Sequence, residues 1–476
     1  MAEKITLPLT AAEIEAVSDL KTAKAMLVMQ AAMIEELLRQ IGALKADVEE
    51  IKRAGKRQAN PFSKGPPKTE AKTPGQKEGH AASHRNTPTK VDVKREADLP
   101  KRCPACGGKV IEDGVEVQYQ IDIPRPIPVQ VTQFNVHIGY CADCQSRVQG
   151  RHAEQTSDAL GSAGVQIGPN AIGLGMQLKH GMGVSYGKAA AILSSISELT
   201  INRSTLVRAD LRVAEKLEPT YHQLLLRLRA SEVVYADETG WRINGTPAWL
   251  WVFTNDDVSV YTIDATRAHE VVEEILGKDF AGVLSCDCYL AYDALSFTQN
   301  KCMAHLLRRC KEITESKTRN AVVFSRQVAQ LLRAAMILKS RQETMSEHGY
   351  AVACGRIEAA LDRLLDKQLS DPDNMRLAKL LRKQRERLFT FLYIKAVQPT
   401  NNQAEREIRP AVIIRKTNGC NRAKPGARTH SVVTSVLRTC QKQGRDFIAF
   451  IADLLRHPDG LAPPIFKSPS PASASP

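Results

Sequence analysis

The chain has 476 residues, room for two or three domains, and a hydrophobic share of 43% that suits a protein with a real core, although aromatic residues are only 5%. A formal charge of +14 and a pI near 9.2 point to a polyanionic partner, since Lys and Arg facing phosphates release counterions; a soluble protein that is merely basic is the other reading. No apolar run approaches the roughly 20 residues needed to cross a bilayer, and the N-terminus lacks a signal peptide's apolar block, so no membrane partner is expected and the expected location is the cytoplasm, beside the nucleoid.

Leu20, Leu27, Ile34, Ile41 and Val48 fall on one seam of a seven-residue repeat, with Ala23, Gln30, Leu37, Leu44 and Ile51 on the other. That pattern predicts a coiled coil within residues 1–55 and a homo-oligomer built through it, with a helix docked on the body of the protein as the alternative. Gln30 at a seam position costs stability and can fix register. Residues 56–100 turn to Pro, Lys, Gly, Ser, Thr and His with almost no large apolar side chains. They read as a disordered basic linker, and residues 463–476 as a polar tail, because neither can bury enough surface to offset ordering entropy.

Residues 101–150 carry two Cys-x-x-Cys pairs, Cys103 with Cys106 and Cys141 with Cys144. Two residues between cysteines let both sulfurs reach one tetrahedral ion, and Gly107-Gly108 frees the backbone to turn around it. Eleven cysteines in a reducing compartment make metal ligation the first use to test. The alternation of apolar and polar residues from Val115 to Ile138 predicts the strands of a zinc ribbon holding one structural Zn2+; four thiolates would leave no open position for catalysis. The other seven cysteines, Cys286, Cys288, Cys302 and Cys310 among them, lack this spacing and read as buried apolar residues.

Residues 151–230 are helical in pattern. Tyr186 to Ile196 and Leu199 to Leu217 read as two helices joined by a short turn, the second capped by Ser204 or Thr205 and showing Arg203, Arg208 and Arg212 on its surface. A helix-turn-helix would set that second helix in the major groove, but the same pattern is common in helical domains that read no DNA.

Residues 231–300 predict strands at Glu232 to Ala236, Ala248 to Phe253 and Val258 to Ile263, with an Asn244-Gly245 hairpin turn between the first two. A short amphipathic helix from His269 to Leu276 follows, then a buried strand from Gly282 to Cys286. Three antiparallel strands, a helix and a further strand are the order of an RNase H-like core, in which acids on the first and fourth strands lie side by side. Here those acids are Asp237 and Asp287. Carboxylates so placed can share two divalent ions about 4 Å apart, which serve phosphoryl displacement. The best third acid is Glu405, in the early turns of a helix that Thr400 or Asn401 would cap, after a helical insertion over residues 301–395 and within the closing segment 396–462. Taken singly, each Asp at a strand end is weak evidence, because turns favour Asp for unrelated reasons.

In combination, Tyr235-Ala-Asp237-Glu-Thr-Gly-Trp241, Ser285-Cys-Asp287-Cys-Tyr289-Leu-Ala-Tyr292, Cys302-Met-Ala-His305-Leu-Leu-Arg308-Arg309, Asn401-Asn402-Gln-Ala-Glu405-Arg406 and Arg415-Lys416 resemble, in this order, the IS66 family of bacterial insertion-sequence transposases with an Asp-Asp-Glu triad. The likeness extends over nearly the whole chain, since that family also has an N-terminal coil, a four-cysteine zinc module and a helical insertion. It implies Asp237, Asp287 and Glu405 as catalytic ligands of two Mg2+ (or Mn2+) ions. Two departures, Cys288 where the family commonly has Gly and Thr400 where it commonly has an acid, remove no ligand. Glu238, Asp293 and Glu407 lie close in sequence but are not expected to ligate; Glu238 should face away from Asp237 on a strand. The resemblance further implies DNA contacts by His305, Arg308 and Arg309, and the cationic face of Arg406, Arg409, Arg415 and Lys416 reads the same way, with pairing to buried acids or a solvated face as the alternatives.

The fold class expected is therefore α+β multidomain: N-terminal coiled coil, zinc ribbon, helical (helix-turn-helix-like) domain, and an RNase H-like catalytic core with a helical insertion. The function expected is metal-dependent cleavage at element ends and strand transfer, with double-stranded DNA and accessory proteins of the same element as further partners. A catalytically inactive, transposase-derived DNA-binding protein is the alternative, and a repair nuclease on the same core is a weaker third.

Overall fold

The computed structural model describes residues 19–56, 87–123, 126–457 and 462–466. Most of the linker region, residues 57–86, and the tail from residue 467 lie outside the described residues. The chain divides into two units, Met1–Gly75 and Gln76–Pro476.

In the first unit a single helix, α1, runs Leu20–Lys56. Leu20, Leu27, Ile34, Leu37 and Ile41 are all exposed on it; the side chains of Gln30, Leu44, Val48 and Ile51 are outside the described ones.

The second unit begins with extended backbone around the cysteine pairs. The strands expected from Val115 to Ile138 do not form among the described residues: regular pairing is confined to β1 (Ile138–Tyr140) and β2 (Arg147–Gln149). Val115, Val117, Ile121 and Ile123 alternate as a strand would, but all face solvent. An alternating sequence becomes a sheet only when a partner strand takes up its N–H and C=O groups, and among the described residues none lies alongside.

Helices α2 (Pro169–Met176), α3 (Tyr186–Ile196) and α4 (Arg203–Arg229) follow, with a π-helical turn at Gln177–Gly181. Ser185 caps α3 by accepting from Lys188 N. The second helix of the expected pair differs from the sequence reading at both ends. Ser204 and Thr205 lie inside its first turn, where Asn202 occupies the cap position without a side-chain bond, and the helix continues past Pro219 for three further turns. It does so because Thr220, Tyr221, Leu224 and Leu228 are buried against the sheet, and packing outweighs the cost of one proline.

The sheet has five strands: β3 (Val233–Ile243), β4 (Thr246–Thr254), β5 (Ser259–Asp264), β6 (Val283–Cys286) and β7 (Thr298–Lys301), in spatial order β5-β4-β3-β6-β7. Pairings β3 to β4 and β4 to β5 are antiparallel; β3 to β6 and β6 to β7 are parallel. Asn244 and Gly245 both have positive φ, 50° and 79°, the backbone of a two-residue hairpin whose twist matches the strands it joins. The first strand is longer than expected: β3 carries on six residues past Asp237, all paired to β4. A helix α5 (His269–Leu276) and a short α6 (Leu290–Asp293) flank β6.

Alternation along β3 divides the core in two. Val234 and Ala236 join Trp251, Phe253 and Leu284 under α4, α5 and two C-terminal helices, α13 (Lys424–Lys442) and α14 (Phe447–Arg456). Val233 and Tyr235 join Leu250, Val252 and Val283 on the other face. That face is covered by α7 (Met303–Ser316), α8 (Val323–Ser340), α9 (Glu347–Leu365), α10 (Pro372–Lys383), α11 (Thr390–Tyr393) and α12 (Asn402–Asn418). The helical segment Arg319–Ser340 meets the length and composition of a membrane span, with half of that window buried; its Phe324, Val328, Leu332 and Ala335 belong to this second core.

Candidate functional site

The parallel register of β3 and β6 pairs Tyr235 with Ser285. Two residues further along each chain stand Asp237 and Asp287, at the same level and, by the two-residue period of a strand, directed to the same side. Asp237 is within β3; Asp287 follows the last residue of β6, where its Oδ1 accepts from Tyr289 N at 2.8 Å and turns the chain. That side is the one covered by α12.

The start of α12 is pinned to the same strand. Asn401, immediately before it, donates from Nδ2 to the Ala236 carbonyl at 2.7 Å and from its backbone N to Cys302 Sγ at 3.1 Å. Met303 N reaches the Pro399 carbonyl at 2.9 Å, and Asn300 Nδ2 reaches that of Gln398 at 3.1 Å. The cap expected of Asn401 is therefore absent from its side chain, because that amide is used to dock the helix on β3 instead. Glu405, in the first turn, is carried over the strand beside Asp237, and its Oε1 lies 3.9 Å from His305 Nδ1.

The electrostatics follow from this crowding. Burial, with the charges of Glu238, Asp287 and Glu405 around it, pushes the Asp237 carboxyl up to about 7. Glu405 Oε1 is buried without a hydrogen-bond partner. Acids that repel one another, with an orphaned carboxylate oxygen among them, have the donor chemistry of a hard divalent cation such as Mg2+ or Mn2+. Among the described residues, however, the three carboxylates do not all lie within 4.8 Å of one another, so they must draw together to share an ion.

The neighbouring acids are committed elsewhere. Glu238 projects to the opposite face, where Arg267 holds it through Nε at 3.0 Å and Tyr292 donates to it at 2.6 Å. Asp293 meets Gln384 at 2.6 Å and Lys383 at 2.8 Å. Glu407 accepts from Arg438 at 2.8 Å and from Tyr261 at 3.0 Å.

Arg308, Arg309, Arg406 and Arg409 are exposed, as are Arg203, Arg208 and Arg212 along α4; Lys416 is half-buried. Arg415 departs from the expected cationic face: its guanidinium bonds Thr239 Oγ1 at 2.8 Å and the Gly240 carbonyl, so it fastens α12 to β3. Sequence reading passed over Lys301, whose fully buried ammonium donates to the Asp287 carbonyl at 3.2 Å. A lysine closing a short polar strand, Thr298–Lys301, is a faint signal that only the partner residues make legible.

Each cysteine pair forms a knuckle of the same design. Cys103 N bonds the Gly108 carbonyl and Gly107 N the Cys103 carbonyl; Cys141 N bonds the Ser146 carbonyl and Gln145 N the Cys141 carbonyl. Ser146, 3.2 Å from the Cys144 sulfur, draws that thiol down to about 7. Among the described residues, no three of the four thiols lie within 4.8 Å of one another.

The family described as Transposase IS66 family matches residues 164–429, more than half of the chain. The match contains Asp237, Asp287 and Glu405 and leaves the four knuckle cysteines and α1 outside. Among similar curated proteins of Sinorhizobium fredii, uncharacterized protein y4qI is 26% identical over 291 residues, covering 54% of this chain and 53% of that one. Uncharacterized protein y4hP is 23% identical over 410 residues, covering 76% and 72%. The chain spans about half the length of y4qI and of a second relative, y4jD, at 53% and 56%.

Proposed function

Since the chain belongs to the IS66 family of transposases, we propose that it cleaves DNA strands at the ends of its element and joins the freed 3′ hydroxyls to target DNA, with Asp237, Asp287 and Glu405 as joint ligands of two Mg2+ or Mn2+ ions. The observation that carries this reading is the β3 to β6 register, which sets Asp237 beside Asp287, together with the Asn401 bond that holds the Glu405 helix on the same strand. The strand order of the sheet supports an RNase H-like core. When bound, such ions activate the attacking oxygen and stabilise the leaving oxygen of a phosphoryl displacement. The protein's own contribution is placement: Asp237 sits in a paired strand, Asp287 directly follows another, and the helix carrying Glu405 is docked on the first by the Asn401 amide. Exposed Arg308, Arg309, Arg406 and Arg409 near the acids suit DNA phosphates, and Arg203 and Arg208 on α4 extend the cationic surface.

We read the two cysteine knuckles as halves of one structural zinc site, supported by their matched backbone geometry; the thiols must close together when the ion binds. Zinc analysis of full-length protein purified without chelator tests this, with one ion per chain expected and none overturning it.

The test of the chemistry uses DNA carrying the element's ends with Mg2+. Asp237→Ala, Asp287→Ala and Glu405→Ala should each lower cleavage by several orders of magnitude while leaving DNA binding at fixed salt largely intact. Glu238→Gln should do much less. Persistent cutting by the Glu405 variant would show that another group is the third ligand; a parent that binds and never cuts would favour a non-catalytic DNA-binding protein.

A further inference from the structure

Cys302, His305 and Glu405 place three ligand atoms within 4.8 Å of one another, the one such group among the described residues. Cys302 occupies the N-cap of α7 and His305 follows three positions later, so both project from the first turn toward Glu405 on α12. The sulfur already receives the Asn401 N–H at 3.1 Å, a backbone donor that opposes the upward push of burial on this thiol without cancelling it. His305 Nδ1 and Glu405 Oε1 are both buried without a hydrogen-bond partner, 3.9 Å apart. Two unsatisfied groups facing one another across a buried sulfur are costly unless something is shared between them.

We propose that Cys302, His305 and Glu405 form a second metal site, selective for a thiophilic divalent ion of the zinc class, and that occupying it withdraws Glu405 from the acid triad. Bond lengths of about 2.0–2.3 Å for oxygen, nitrogen and sulfur around zinc require tetrahedral ligands roughly 3.4–3.7 Å apart. The ligand atoms lie at most 4.8 Å apart, and His305 Nδ1 is 3.9 Å from Glu405 Oε1, so a shift on the order of 1 Å brings them to that spacing. Thiolate and imidazole discriminate against Mg2+, which prefers oxygen and keeps its waters. The side chains of His305 and Glu405 are 25% and 21% exposed, so an ion has a way in and water can complete its coordination. A site with three protein ligands and one open position differs from the four-cysteine knuckles and binds independently of them. The inhibitory consequence rests on the reading of Glu405 as the third catalytic acid; the binding itself does not.

The test takes the full-length protein, stripped of metal, and measures bound Zn2+ by equilibrium dialysis in the presence of excess Mg2+. The parent should hold one zinc per chain more than Cys302→Ser, His305→Ala and Glu405→Ala. Cys310→Ser, a buried cysteine of the same helix outside the group, should equal the parent. Circular dichroism checks folding, and His305→Ala, altering a partly exposed side chain, remains informative if the buried cysteine variant fails to fold. Equal zinc content in parent, Cys302→Ser and His305→Ala overturns the site. A second arm follows Mg2+-dependent cleavage with added Zn2+, each protein scored against its own zinc-free rate. Inhibition at least about tenfold stronger for the parent than for Cys302→Ser is expected. The zinc difference without any difference in inhibition would keep the site and overturn its hold on Glu405.

Discussion

Asp237 is held in a state that favours its proton, and this separates its cost to the fold from its use. In the folded chain its carboxyl titrates at about 7, above the ordinary value of 3.8 for a free Asp side chain. Between those two values the folded chain binds a proton that the unfolded chain has released, so the stability linked to this group is fully present below the unfolded value and is lost as pH rises through about 7. A rise of this size corresponds to about 4 kcal/mol, and partial solvent access at this side chain reduces that to on the order of 2 kcal/mol. Asp237→Asn should therefore raise the unfolding temperature of metal-free protein at pH 8, with the difference vanishing near pH 4. Adding Mg2+ should stabilise the parent and not the variant. A metal-free variant no more stable than the parent at pH 8 would mean that burial and the neighbouring acids do not disfavour the Asp237 charge.

The helix α12 shows how much depends on a contact between distant parts of the chain. The Asn401 amide reaches the Ala236 carbonyl across 165 positions of sequence, and both groups are buried, so Asn401→Ala leaves a backbone acceptor unsatisfied at a cost of about 1–3 kcal/mol. It also frees the first turn of α12. The expected result is a lower unfolding temperature and a fall in cleavage larger than any fall in DNA binding; unchanged cleavage would show that α12 is placed without this bond. This contact was not legible beforehand, since an Asn before a helix reads as a cap. Local signals were legible: the Asn244-Gly245 turn, α3 at Tyr186–Ile196 and α5 at His269–Leu276 stand where residue type and period put them. Signals that need a partner were not. Glu238, Thr239 and Gly240 hid the continuation of β3, which pairing with β4 supplies, and the alternation after Val115 promised strands that find no neighbour among the described residues. Asp237, Asp287 and Glu405 could be singled out because each lies next to a legible element; the Cys302 and His305 cluster could not, because its meaning depends on where Glu405 arrives.

At the scale of the whole molecule, the exposed stripe on α1 is the feature least at ease in a single chain. Leu20, Leu27, Ile34, Leu37 and Ile41 are 74%, 64%, 57%, 46% and 46% exposed, although they repeat at the spacing of a coiled-coil seam. A helix of 37 residues is about 55 Å long at 1.5 Å per residue, and burying each such side chain contributes roughly 1.5–3 kcal/mol. A second copy of α1 would supply the matching stripe, which makes self-association the predicted use of this unit. Replacing Leu27, Ile34 and Ile41 together by Lys places like charges across that seam while leaving the helix propensity of the segment high. Multi-angle light scattering should then show the mass of the full-length protein falling to that of a single chain, 52.5 kDa, with the melting of the sheet-containing unit unaltered. A multimer of unchanged mass would place the assembly contact elsewhere. A monomeric parent would return α1 to the alternative of packing on its own chain, and protection of Leu27 and Ile34 backbone amides from hydrogen exchange in that monomer would be its signature.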